Sequence, residues 1–183
     1  QQHDRIQRGP TLIRPIGLIT SEVGGPPLNV AAWALPPPAP AQVRRVPVLA
    51  IVGTAMDAGK TTTAAYLTKG LTSLGKRVGY GKVTGTGASG DPGLVTDAGA
   101  SQVLDFTDLG YASTYRVPPQ EIEGIFQDLI GHFQQSEVDV ILLEIADGLL
   151  QAETAELLKS SMFRQHTDGV ILAAGDAMGA LAG

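Results

Sequence analysis

The stretch that most constrains this chain is Val48-Leu49-Ala50-Ile51-Val52-Gly53-Thr54-Ala55-Met56-Asp57-Ala58-Gly59-Lys60-Thr61-Thr62-Thr63. An apolar, β-prone run breaks into a loop bounded by two glycines. A lysine and a threonine follow where a helical apolar pattern begins, so the segment predicts strand, loop and helix in succession. Backbone N–H groups of such a loop and of the helix N-terminus converge on one spot, where the helix dipole also favours negative charge. The segment therefore reads as a phosphate-binding loop. Its candidate binding residues are Gly53, Thr54, Asp57, Ala58, Gly59, Lys60, Thr61 and Thr62. Lys60 would meet the β- and γ-phosphates, and the Thr61 hydroxyl a magnesium ion. Thr54 to Ala58 put five residues between the glycines, where the common pattern has four.

From Val46 onward, short apolar runs alternate with helical patterns, the signature of a parallel sheet flanked by crossover helices and so of the α/β class. Strands are predicted at 46–52, 77–83, 138–145 and 169–174, and helices at 59–74, 118–135 and 149–164. Thr84 to Gly90 reads as a glycine-rich loop, and 97–106 as a helical turn or short helix. The nucleotide domain is assigned to 44–183 and is expected to be incomplete at its carboxyl end. Residues 1–43 form an amino-terminal arm, either one or two short strands or a partly ordered tail, ending in the stiff spacer Pro36-Pro37-Pro38-Ala39-Pro40.

A net charge of −5 and the lack of a basic stripe argue against nucleic-acid binding. No apolar run approaches the length of a membrane span. The chain has no cysteine, which excludes disulfides and thiolate metal sites and fits a cytoplasmic protein. His3, His132 and His166 lie far apart and suggest no metal cluster.

In open parallel sheets ligands bind beyond the carboxyl ends of the strands, so the residues that follow each strand carry the chemistry. After the second predicted strand comes Lys82, flanked by Gly79 and Gly81, which would leave room for a ligand to approach the backbone. After the third come Glu144 and Asp147. A carboxylate ending a buried strand is costly without a partner, and magnesium on nucleotide phosphates would supply one. Glu144 could equally pair with Lys60 or cap a loop. Asp147 could serve the site or cap the next helix. Asp57 could assist a substrate or stabilise its own turn. Tyr111 and Tyr115 could line the pocket or cover a core edge.

The sequence Gly53-Thr54-Ala55-Met56-Asp57-Ala58-Gly59-Lys60-Thr61 resembles the long-spaced phosphate loop of dethiobiotin synthetase. Lys82-Val83-Thr84-Gly85-Thr86-Gly87 is similar to that family's second motif, Thr96-Asp97-Ala98 to its metal-binding Ser-Asp-Ala, and Glu144-Ile145-Ala146-Asp147-Gly148 to its Glu-Gly-Ala-Gly-Gly. The resemblance spans about residues 46–175. It implies that Lys60, Lys82 and Thr86 serve catalysis, that Thr61, Asp97 and Glu144 hold magnesium, and that ATP is the cofactor. Val83, Ile145 and Asp147 depart from the family's proline and glycines, so a divergent relative is implied. The expected function is a cytoplasmic ATP- and Mg2+-dependent enzyme, a homodimer or higher homo-oligomer. It would activate a small carboxylate or carbamate by phosphoryl transfer for attack by an amine. Two other readings stay open: a nucleotide-binding regulatory or assembly module, and an N-acyltransferase whose phosphate loop holds coenzyme A.

Overall fold

The computed structural model describes residues 12–39 and 44–182. Its elements in chain order are β1 (Val48–Gly53), α1 (Lys60–Ser73), β2 (Val78–Thr84), α2 (Gly90–Asp97), β3 (Gln102–Asp105), α3 (Pro119–Gln134), β4 (Val140–Ile145), α4 (Ala152–Lys159), α5 (Ser161–His166), β5 (Gly169–Ala173) and α6 (Ala177–Ala182). The five strands form one sheet in the order β3-β2-β4-β1-β5, every pair parallel. From β1 the chain crosses past β4 to reach β2, whereas from β4 it crosses past β1 to reach β5. The order therefore reverses between β1 and β4, and a crevice opens there at the carboxyl ends.

Strand periodicity divides the core into two layers. Val48, Ala50 and Val52 of β1 and Ile141, Leu143 and Ile145 of β4 face α3, whose Ile122, Ile125, Phe126, Leu129, Ile130 and Phe133 are all buried. Ile51, Tyr80, Val140 and Leu142 face the other way, onto Ala64 and Ala65 of α1 and Val95 of α2. Burial on both faces is why the strands read as unbroken apolar runs. The glycines of β2 belong to this packing. A Cβ on Gly79 would lie 2.7 Å from Phe133 Cδ1, and one on Gly81 2.7 Å from Leu143 Cδ2 and 3.0 Å from Phe133 Cε2. The room predicted for a ligand beside Lys82 is thus filled by Phe133 and Leu143.

Three other expectations change. The segment 97–106 is not a helix: α2 lies earlier, Gly99 turns the chain at φ 101°, and 102–105 is an edge strand. The helix expected over 149–164 is two helices. Ser160 takes an extended conformation and accepts a hydrogen bond from Phe163 N at 3.0 Å, restarting the helix so that Phe163 packs on Phe126 with ring centroids 5.6 Å apart. A short helix, α6, follows β5. In the arm, the described residues hold one isolated bridge, Thr20 with Pro27, and a 3-10 turn at Val30–Trp33. Leu35 N donates to Asp108 O at 2.7 Å and Gln135 Nε2 to Ala39 O at 2.8 Å, so the second half of the arm lies against the domain. Among the described residues no helix is long and apolar enough to cross a membrane.

Candidate functional site

β1 runs straight into the glycine-bounded loop, and Asp57 and Gly59 within it take positive φ values of 60° and 97°. Gly59 in the left-handed region lets the loop turn into α1 without a side-chain cap. Lys60, the first residue of α1, folds back over the loop. Its Nζ donates to Ala55 O at 3.0 Å and to Asp147 O. The side chain lies across Gly53, where a Cβ would come within 2.8 Å of its Cγ. Close approach of the lysine stem is thus the reason for glycine at that position. The loop is held from outside by Thr54 N donating to Ala173 O of β5 and by Leu149 N donating to Gly53 O, both at 3.0 Å.

The loop, the end of β2, α2 and the end of β4 enclose a cavity of about 500 Å³. Asp57, Gly59, Lys60, Thr61 and Thr62 line it from the loop side, Lys82 from β2, and Glu144, Ala146 and Asp147 from β4 and the turn after it. Gly53, Thr54 and Ala58 shape the loop behind this wall. Glu144, 2% exposed, accepts a hydrogen bond from Thr61 Oγ1 on Oε1 at 3.0 Å and from the Tyr80 hydroxyl on Oε2 at 2.8 Å. Burial pushes its pKa above the usual carboxylate value, against the opposing pull of the Tyr80 hydrogen bond and the Lys82 charge. Burial likewise lowers the pKa of Lys60, against the attraction of Glu144 and Asp147. Both groups are uncomfortable without a counter-ion, and a phosphate–magnesium pair supplies one of each sign. Thr61 Oγ1 and a Glu144 carboxylate oxygen, both hard donors beside the loop, fit a magnesium ion.

Two sequence-predicted residues lie elsewhere. Asp97, assigned to the metal, sits at the last turn of α2 beside Ala65, Tyr66 and Lys69 of α1, outside this crevice. The carboxylate that α2 does bring there is Asp91, in its first turn, paired with Lys82 Nζ. Thr86 lines a separate small cavity of about 120 Å³ with Ser113, Thr114, Tyr115, Gln151 and Glu153. Ala146 and Asp147 are common to both cavities and form the wall between them. The turn before Thr86 is fixed by Gly85 N donating to Thr114 Oγ1 at 2.8 Å and Thr114 N donating to Gly85 O at 2.9 Å. Sequence reasoning missed Asp91 and Leu94. The signal was there: Ser89-Gly90-Asp91-Pro92 places a capping residue, an acid and a proline where a helix starts.

No family model matches the chain, and no curated protein does. Among solved structures it is similar to the signal recognition particle receptor FtsY from Elizabethkingia anophelis, at 18% identity and a TM-score of 0.50, over 73% of this chain and 42% of that one. It also matches the same receptor in complex with GDP, at 16% identity and a TM-score of 0.47 over 78% of this chain and 46% of that one. A third is the signal recognition particle 54 kDa protein from Aeropyrum pernix K1 in complex with GDP, at 21% identity and a TM-score of 0.44 over 70% of this chain and 29% of that one. The chain thus spans less than half the length of each. None of the three is a dethiobiotin synthetase, and at these identities the first establishes the fold alone. That fold is a parallel α/β sheet flanked by helices, whose first strand here runs into the glycine-bounded loop and α1.

Proposed function

We propose that the chain binds a magnesium nucleoside triphosphate in the crevice above β1, β2 and β4 and transfers its terminal phosphoryl group to a small acceptor. The observation that carries this is the convergence of Lys60, Thr61, Lys82 and Glu144 on one cavity from three different strand ends. Loop amides, Lys60 and Lys82 would spread the charge of the phosphate oxygens, which is the main contribution a protein makes to phosphoryl transfer. Thr61 and Glu144 would hold magnesium, which neutralises phosphate charge when bound. The neighbouring cavity lined by Thr86 is a natural seat for the acceptor, because only Ala146 and Asp147 separate it from the phosphates.

With ATP, the nucleotide that the motif resemblance implies, a carboxylate or carbamate oxygen of the acceptor attacks the γ-phosphorus. The bond from that phosphorus to the bridging oxygen breaks, and ADP leaves. An amine then attacks the acyl phosphate carbon, forming the amide-type bond, losing its proton and releasing inorganic phosphate. ATP and GTP titrated side by side identify the base. Lys60→Ala is expected to abolish turnover of the preferred nucleotide while leaving the melting temperature near wild type. Unchanged affinity and turnover in that variant would overturn the proposal.

A second reading, a nucleotide-dependent assembly module, is favoured by the arm. Leu12, Ile16 and Val23 are 95%, 101% and 106% exposed, an apolar segment suited to partner contact. Phosphate release that no added carboxylate or amine stimulates, together with nucleotide-dependent association, would select it over the enzyme.

A further inference from the structure

Lys82 is the second cation of the crevice, and the protein has already given it a partner. Its residue is 8% exposed and its Nζ is paired with the Asp91 carboxylate. Asp91 lines the same cavity as Lys60, Thr61 and Glu144. These charges reach their neighbours: the Lys82 charge depresses proton affinity at Lys60 and Glu144, and the Asp91 charge raises it at Glu144 and at Tyr80. A fixed carboxylate on the wall of a polyphosphate site opposes binding through space. A buried ammonium with no counter-charge is also costly. Asp91 answers the second problem at the expense of the first, which makes sense if its contact with Lys82 is temporary.

The element carrying Asp91 is lightly packed. α2 has eight residues, buries only Val95, and is set between Gly85 at φ 138° and Gly99 at φ 101°. Leu94, facing the crevice one turn on, is 46% exposed. Little packing is lost if the helix shifts.

We propose that Asp91 is the exchangeable counter-ion of Lys82. In the empty crevice it neutralises the ammonium. A ligand whose terminal phosphate reaches Lys82 takes the ammonium over, Asp91 withdraws, and α2 shifts with it. Asp91 thereby sets a preference for three phosphates over two, since a diphosphate held by the loop and Lys60 leaves the Lys82–Asp91 pair closed. The inference rests on the phosphate-binding reading of the crevice.

The test uses metal-free calorimetric titration of inorganic pyrophosphate and tripolyphosphate into the wild type, Asp91→Asn, Lys82→Ala, the double variant and Lys60→Ala. Asp91→Asn is expected to tighten tripolyphosphate binding about tenfold and to change pyrophosphate binding far less. In the Lys82→Ala background the gain should shrink to about threefold or less, the part due to repulsion alone. An equal gain in both backgrounds, or no gain, or a loss, would overturn the proposal. Hydrogen exchange at 90–97 in the wild type gives a readout that needs no substitution. Tripolyphosphate should accelerate it and pyrophosphate should not, and an identical response to both ligands also overturns the exchange. If Lys60→Ala binds both anions as the wild type does, the phosphate site itself has failed, a result distinguishable from failure at Asp91.

Discussion

Gly148, just beyond β4, offers the sharpest test of how the glycine-bounded loop after β1 is held. A Cβ there would lie 2.9 Å from Thr54 O and 3.0 Å from Ala55 Cα, both of them backbone atoms of the loop. Ordinary contact begins near 3.4 Å, so Gly148→Ala forces the loop away from the β4 turn by about half an ångström. Gly53→Ala makes a useful contrast, because the atoms it meets belong to the flexible Lys60 stem. For Gly148→Ala the overpacking cost is about 1–3 kcal/mol. In a chain of this length that is a fall of roughly 2–10 °C in melting temperature. Ala55 O also accepts from Lys60 Nζ, so the displacement carries the lysine with it. Misplacement on this scale costs on the order of tenfold in phosphate affinity. The assays are thermal unfolding and nucleotide titration on the same sample. A lower melting temperature with undiminished affinity would refute the assignment of this loop to phosphate. No change in either would refute the packing reasoning.

Glu144→Gln separates stability from function. Burial raises the Glu144 pKa above 4.5, so the folded state holds this proton more tightly than the unfolded chain, and stability is lost as pH rises from 4.5 through the raised folded value. The glutamine variant should therefore be the more stable protein at neutral pH, with a melting temperature less dependent on pH over that interval, while magnesium-dependent turnover falls. A variant that is less stable at neutral pH would contradict the sign. Phe133→Ala should cost about 3–5 kcal/mol in denaturant unfolding, because the ring fills the space left by Gly79 and Gly81 and is fully buried. A loss below about 1 kcal/mol would mean that the neighbouring Leu129 and Leu143 close the gap.

The parts of the fold that were legible are those whose signal is local and strong. β1, β4 and α3 are long apolar runs or helical stripes, and their observed bounds fall within two residues of the expected ones. The region from Gly90 to Asp105 was misread for a physical reason. α2 has almost no amphipathic stripe, since only Val95 is buried, and β3 is an edge strand of four residues. Neither carries enough periodicity to outweigh glycine and threonine, whose local signals favour loops. The Thr96-Asp97-Ala98 resemblance pointed to the last turn of α2, whereas the carboxylate of α2 that lines the crevice is Asp91 in its first turn.

Lys82 shows why identity alone underdetermines a site. Its position at the end of β2 was legible, and the crevice does contain it. Its glycine neighbours suggested an open approach, yet Phe133 and Leu143 occupy that face, and the ammonium is paired with Asp91. Pairs formed between a strand end and a following helix have no sequence signature, because the intervening loop sets the geometry. The charge arrangement of the crevice, two lysines answered by Glu144 and Asp91, is therefore a property of the tertiary fold. Converting Asp91 to its amide should leave the sheet intact and alter what the crevice binds, which is how a binding arrangement differs from a structural one.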